Sequence, residues 1–88
     1  MPEQQLVLNN EVGLHARPAA LFTKTAGGFS NTAIEVVKDG KAVNGKSILD
    51  VLALGVSRGT TITLRTEGPD AEEALRALSA LIESNFNE

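Results

Sequence analysis

The chain has 88 residues, of which 42% are hydrophobic and 22% charged, and its formal net charge is −3. We expect residues 1–88 to form a single small domain, because this length provides for one hydrophobic core. The negative charge argues against nucleic acid as the main partner, since phosphate backbones favour basic surfaces. The sequence contains no cysteine, which excludes disulfides and thiolate metal sites.

The charge is distributed unevenly along the chain. Residues 13–60 carry six Lys or Arg against three acidic residues, whereas the remaining segments carry two basic and eight acidic residues. A mildly basic middle favours an anion or an acidic partner, although scattered solvated charge is the plainer interpretation. No signal-peptide pattern and no long apolar run is present. We therefore expect a cytoplasmic protein with no membrane partner.

Apolar spacing predicts seven elements in the order β-α-β-β-α-β-α. Alternating apolar residues indicate strands, and spacings of three and four residues indicate helices. The predicted strands are 4–9, 32–38, 41–44 and 60–67, and the predicted helices are 16–26, 47–54 and one that begins after Asp70. The order favours an α+β fold, an open-faced β-sandwich in which three helices cover one face of a four-stranded, mostly antiparallel sheet.

Local residues also predict how these elements begin and end. Asp39-Gly40 is typical of a two-residue hairpin turn. Gly27-Gly28 should end the first long helix, because glycine accepts a positive φ angle. Asp70 and Glu73 match a capping box at the start of the last helix. Phe22, on the apolar face of the first helix, is predicted to lie in the core.

The single histidine precedes a helix that lacks an ordinary cap. The segment reads Gly13-Leu14-His15-Ala16-Arg17-Pro18. His15 stands where Ser, Thr, Asp or Asn would usually accept hydrogen bonds from the first amides. A helix start of this kind binds anions, and the Arg17 guanidinium fits phosphate oxygens. A neutral imidazole beside it can accept a phosphoryl group. The alternative is an ordinary surface histidine in a loop.

Metal binding and hydrolysis are less well supported by the sequence. There is no second histidine to complete a metal site, and no Ser-His-acid spacing suggests a catalytic triad. We therefore expect no metal, no cofactor and no hydrolytic activity.

The segment around His15 closely resembles the active-site segment of the HPr family, the histidine-containing phosphocarriers of the bacterial phosphoenolpyruvate-dependent sugar phosphotransferase system. Lys46-Ser47-Ile48, with Leu54-Gly55 and Gly59-Thr60, resembles the second characteristic region of that family. The resemblance covers essentially the whole chain. It implies the open-faced sandwich fold and a phosphocarrier that is a monomer. It also implies that Enzyme I phosphorylates His15 on Nδ1 and that the group then passes to sugar-specific IIA proteins or domains. The backbone amides of Ala16 and Arg17, with the Arg17 side chain, would hold the phosphoryl group.

One residue departs from the family pattern. Many members have a small polar residue just before the glycine, where this chain has Val12. If no polar side chain is available there, the amides and Arg17 must hold the phosphoryl group without it.

Ser47 begins a Ser-x-x-Asp pattern, which is typical of a helix N-cap. The resemblance adds a regulatory interpretation, because in many Gram-positive bacteria an HPr kinase/phosphorylase modifies the serine that matches Ser47. A phosphate there would add about two negative charges beside a docking surface.

A docking surface for partner proteins is predicted beside His15. The short helix has more apolar residues than one buried face needs, so some of them should be exposed, although a short helix could also bury them all. Basic residues nearby would meet an acidic partner. The predicted docking residues are Ala20, Lys24, Lys46, Ile48, Leu49 and Leu52.

Two other functions remain open at this point. One is a non-catalytic regulatory or ligand-binding module in which His15 is incidental. The other is a paralogue within the family that serves nitrogen or fructose phosphotransfer, or that regulates through Ser47.

Overall fold

A computed structural model describes residues 2–10 and 13–87 of the chain. Its elements follow the predicted order. The strands are β1 (Glu3–Val7), β2 (Ala33–Lys38), β3 (Lys41–Asn44) and β4 (Thr61–Glu67), and the helices are α1 (Ala16–Gly27), α2 (Ile48–Ala53) and α3 (Ala71–Glu83). Every bound that the sequence predicts is met within one or two residues, and α3 begins directly after Asp70 as expected.

The four strands form one antiparallel sheet in the order β1-β4-β2-β3. Asp39 and Gly40 join β2 to β3 with φ angles of 50° and 81°, and Lys38 pairs with Lys41 across the turn. Positive φ at both central residues matches the strand twist of a two-residue hairpin. The hairpin predicted from Asp39-Gly40 is therefore confirmed.

The helices cover one face of this sheet and enclose an aliphatic core. Alternate strand residues such as Ile34, Val36, Ile62 and Leu64 point into it and are almost completely buried, and Phe22 of α1 is 0% exposed. The predicted open-faced sandwich, the inward strand faces and the core position of Phe22 are confirmed.

The other face of the sheet is open to solvent. There Arg65 lies 3.7 Å from a Glu3 carboxylate oxygen and 3.8 Å from one of Glu35. These residues pair across β1, β4 and β2. Ion pairs this exposed contribute little to stability.

The end of α1 differs from the prediction. Gly27 belongs to the helix, and Gly28 has φ −70° rather than a positive angle. The helix tightens instead, because the amide N–H of Gly28 donates to the Thr25 carbonyl and that of Phe29 to the Ala26 carbonyl, both at 3.1 Å. These three-residue bonds satisfy the last carbonyls without a left-handed residue. The prediction of a positive φ at this glycine pair is wrong.

The start of α3 corrects a second expectation. Asp70 is the N-cap residue, but its side chain makes no capping hydrogen bond. Its backbone N–H, which Glu73 would accept in a capping box, donates to Thr32 Oγ1 at 3.2 Å. Thr32 lies 38 positions earlier in the chain, so a tertiary contact replaces the local motif. The predicted capping box is wrong.

Phe86 is a core residue that the sequence pattern does not reveal. After α3 the chain makes a short 3-10 turn, Asn85–Asn87, in which Asn85 and Phe86 have φ angles of 55° and 58°. This turn leaves Phe86 only 2% exposed. No periodic pattern predicts a single aromatic residue that is buried by a left-handed turn.

Candidate functional site

His15 lies at the start of α1 with extended backbone angles, φ −80° and ψ −173°. Its side chain is exposed and makes no capping hydrogen bond. The helix start predicted from the sequence is therefore confirmed, and the imidazole is accessible to solvent and to another protein.

The first turn of α1 presents two backbone amides near this imidazole. Ala19 is the first residue whose N–H bonds within the helix, to the His15 carbonyl at 2.8 Å. Pro18 has no N–H, so the N–H groups of Ala16 and Arg17 are the two in this first turn that have no acceptor within the helix. Within the described part of the chain, no backbone or side-chain acceptor takes them up. Two outward N–H groups and the positive helix end form an anion-binding site.

Arg17 is exposed and adjoins these amides. Within residues 2–10 and 13–87, the ion pairs all involve Arg65 and none involves Arg17. Its guanidinium is therefore available to an incoming anion. Val12, the departure from the family pattern, lies outside the described residues.

A shallow cavity of about 330 Å³ lies beside the imidazole. Leu14, His15 and Ala16 form one wall. The opposite wall comes from the end of α2 and the segment that follows it, namely Leu52, Gly55, Val56 and Ser57. The site therefore combines two stretches that lie far apart along the chain.

A backbone contact holds the two walls together. The Leu14 N–H donates to the Val56 carbonyl at 2.9 Å. Gly13 has φ +62°, and a Cβ atom built on it would lie 2.5 Å from the Val56 oxygen and 2.6 Å from Ser57 Cα. Only glycine fits so close an approach in this conformation. Val56 and Ser57 have no role in the sequence-based prediction, because nothing local identifies their partner.

Ser47 is the N-cap of α2. Its Oγ accepts a hydrogen bond from the Asp50 amide at 3.3 Å, as the Ser-x-x-Asp pattern predicts. The residue is half-buried.

Three apolar side chains of α2 are exposed, as expected for some residues of this helix. Leu49 is 76% exposed, Ile48 38% and Leu52 36%, whereas Val51 is completely buried. Leu21 of α1, which was not among the predicted docking residues, is also 36% exposed. We call Ile48, Leu49, Leu52 and Leu21 the apolar patch.

The remaining predicted docking residues lie on α1 and before α2. Ala20 and Lys24 are exposed on α1. Lys46 is half-buried, and its Nζ donates to the Phe29 carbonyl at 2.6 Å. The Lys46 ammonium thus already has a partner within the fold.

Comparisons with known proteins agree with this geometry. The family model for the PTS HPr component phosphorylation site matches residues 2–84. The chain is 49% identical over 83 residues to an HPr-like protein Crh of Halalkalibacterium halodurans, covering 94% of this chain and 98% of the relative. It is 41% identical over 88 residues to the phosphocarrier protein HPr of Cupriavidus necator, covering 100% and 98%. A crystal structure of HPr from Thermoanaerobacter tengcongensis superposes with a TM-score of 0.97 at 53% identity, covering 100% of this chain and 98% of that chain.

These matches assign the chain first to a class of proteins and then to a family within that class. The class is that of phosphocarrier proteins of the sugar phosphotransferase system, which carry a phosphoryl group rather than act as enzymes. Within it, the chain belongs to the HPr family.

Metal-ion clusters and membrane-spanning helices are both absent from the described residues. Across residues 2–10 and 13–87, no grouping of His, Cys, Asp and Glu is suited to a metal ion. In the same part of the chain, no helix has the length and apolar character needed to span a bilayer.

Proposed function

We propose that His15 accepts a phosphoryl group from phospho-Enzyme I and transfers it to sugar-specific IIA proteins or domains. The observation that carries this proposal is the exposed imidazole at a helix N-terminus that no side chain caps. The family supports the general role, and the residues around His15 support the site.

The chemistry needs one nucleophilic nitrogen and donors for the phosphoryl oxygens. The Nδ1 lone pair of neutral His15 attacks phosphorus while the bond to the donor breaks, and the electron pair leaves with the donor. The amides of Ala16 and Arg17 and the Arg17 guanidinium take up the negative charge of the oxygens. Transfer to a IIA protein reverses these steps with a new acceptor.

Partner proteins are proposed to dock on the apolar patch and the cations around it. The patch lies on α1 and α2, the helices that border the His15 cavity, so a partner seated there would reach the imidazole. Lys24 and Arg17 would meet acidic groups on the partner. Such contacts must be transient, because a carrier has to leave one partner before it meets the next.

The test uses Enzyme I and phosphoenolpyruvate with the full-length chain. We expect one acid-labile, alkali-stable phosphoryl group per molecule, absent from His15→Ala. Arg17→Gln should slow its formation, whereas Arg76→Gln, which removes an exposed arginine from α3, should not. Labelling that survives in His15→Ala would contradict the assignment of the acceptor.

Ser47 is proposed as a regulatory phosphorylation site, modified by an HPr kinase/phosphorylase where one is present. A phosphate on Ser47 would place about two negative charges at the start of α2, next to Ile48 and Leu49 of the apolar patch. Ser47→Asp should therefore slow transfer from Enzyme I to His15. Gln5→Glu adds one negative charge on the open face of the sheet and should have no effect. Equal rates for Ser47→Asp and the parent chain would contradict the docking surface.

The proposed functional unit is a monomer in the cytoplasm. Its two edge strands are short, with five residues in β1 and four in β3, and short edges disfavour pairing between chains. Related structures include an HPr dimer from Thermoanaerobacter tengcongensis, 53% identical to this chain, and a Bacillus subtilis Crh dimer with a swapped domain, 42% identical. Sedimentation equilibrium over a wide concentration range would decide between one chain and two.

A regulator that works through Ser47 is the second candidate. A solved structure 43% identical to this chain is that of Crh, the Bacillus subtilis catabolite repression HPr, which favours a regulatory role. The exposed His15 argues against a regulator that needs only the serine. The two candidates differ in their need for His15. A regulator would keep its partner binding in His15→Ala, whereas a carrier would lose all phosphoryl transfer.

A further inference from the structure

Helix α2 ends beside the His15 cavity, and that end carries the negative pole of the helix. Leu52, in the last turn of α2, and Gly55, just beyond it, line the cavity together with His15. The last carbonyl groups of a helix carry partial negative charge, which repels an anion held nearby. A phosphoryl group on His15 would therefore be attracted by the positive start of α1 and repelled by the negative end of α2.

The last turn of α2 contains no basic residue that could offset this charge. The cation comes instead from β2. Lys38 Nζ donates to the Gly55 carbonyl at 2.9 Å and to the Leu54 carbonyl at 3.4 Å. Lys38 occupies the end of the inward row of β2, after Ile34 and Val36, and this row faces the helices. Its half-buried position directs the ammonium to the end of α2.

The same contact also fixes the wall of the cavity. Gly55 precedes Val56, whose carbonyl accepts the Leu14 N–H at 2.9 Å. Gly55 has φ +72°, so its carbonyl direction depends on a conformation that only glycine adopts readily. A short chain of contacts thus runs from Lys38 through residues 55 and 56 to the residue before His15.

We propose that Lys38 is a positioning residue for phosphoryl acceptance: its ammonium offsets the negative end of α2 beside the phosphoryl group on His15. This proposal rests on the function proposed for His15. It predicts that loss of the Lys38 charge lowers the stability of the phosphorylated form relative to the free form. The interaction of a charge with a helix end typically corresponds to roughly a two- to fivefold change in an equilibrium constant, so we expect an effect of about threefold here.

The decisive measurement is the equilibrium fraction of phosphorylated protein, with catalytic Enzyme I and a fixed ratio of phosphoenolpyruvate to pyruvate. A catalyst does not move an equilibrium, so a variant that only docks poorly on Enzyme I reaches the same fraction more slowly. Lys38→Met should lower the equilibrium constant about threefold. Lys38→Gln, which keeps a hydrogen-bond donor without the charge, should lower it similarly, and Lys38→Arg should keep the parent value.

Lys41→Met is the matched control, because Lys41 pairs with Lys38 across the hairpin and its loss changes the net charge equally. Its equilibrium constant should stay at the parent value. Circular dichroism melts would confirm that each protein is folded at the assay temperature. If Lys38→Met unfolds, the comparison of the equilibrium constants of Lys38→Gln and Lys38→Arg tests the proposal in its place. Equal constants for the parent chain and Lys38→Gln would overturn the proposal. If the parent chain itself takes up no phosphoryl group, the function proposed for His15 fails instead.

Discussion

Replacement of Gly13 by alanine tests how closely the two walls of the His15 cavity touch. Gly13 combines two features that an added methyl group would disturb. Its φ angle is +62°, and a Cβ atom would lie within 3 Å of three backbone atoms of Val56 and Ser57. Backbone atoms move only if the whole segment moves, so the contact between the walls would have to open.

The expected loss of stability follows from these two features. The left-handed conformation costs an L-residue roughly 1–2 kcal/mol. Separation of the walls would also break the 2.9 Å hydrogen bond from Leu14 to Val56, which contributes about 1 kcal/mol. Gly13→Ala should therefore lower the free energy of unfolding by about 2–3 kcal/mol, a large share of the roughly 5–15 kcal/mol typical of small domains.

Urea unfolding, followed by circular dichroism, measures this change as a shift of the midpoint at constant slope. Two glycines provide controls. Gly40 has φ +81° but open space where an added methyl group would lie, so Gly40→Ala should cost only the roughly 1–2 kcal/mol of the conformation. Gly27 has neither feature, and Gly27→Ala should be neutral or slightly stabilising. If Gly13→Ala destabilises no more than Gly40→Ala, the close approach of the two walls is wrong.

Three further substitutions test the packing and the caps, all by urea unfolding. Phe22→Ala removes a completely buried ring and should cost about 3–5 kcal/mol; a loss below about 1 kcal/mol, on the order of a surface change, would contradict its core position. Ser47→Ala removes the α2 cap and should cost about 1 kcal/mol, with exposed Ser30→Ala as a control near zero. Thr66→Val removes the 2.7 Å hydrogen bond from the buried Thr66 hydroxyl to the Ala71 carbonyl and should cost about 1–2 kcal/mol; an unchanged midpoint would contradict a net contribution of this hydrogen bond to stability.

The fold could be predicted from local patterns wherever local forces decide the structure. Alternation at Ile62 and Leu64 indicated the buried face of β4, and Asp39-Gly40 indicated the hairpin, because side-chain period and turn conformation are properties of neighbouring residues. The hydrogen-bond partner of Asp70 could not be predicted in this way. Its amide bonds to Thr32, 38 positions away, and no local motif reveals a partner brought near by folding.

The candidate site divides in the same way. His15 and Arg17 could be identified because a helix start, its missing cap and its proline are neighbours in the sequence. The opposite wall could not, since the contact between Val56 and Leu14 joins segments far apart in the sequence and depends on the tertiary fold. Lys38 is the clearest case: in the sequence it is one more residue of a strand, and only the fold gives its ammonium the carbonyls of Leu54 and Gly55.

The openness of the site is consistent with the function proposed for it. A carrier must bind its phosphoryl group neither too weakly to accept it nor too strongly to release it. Each additional ~1.4 kcal/mol that stabilises the phosphorylated form lowers the constant for onward transfer about tenfold. Exposed amides and a solvent-exposed arginine stabilise an anion less than a closed pocket would, because water competes for the same oxygens. On this reasoning Lys38 suits a carrier, because the stabilisation proposed for it is only about threefold and lowers the constant for onward transfer by no more than that factor.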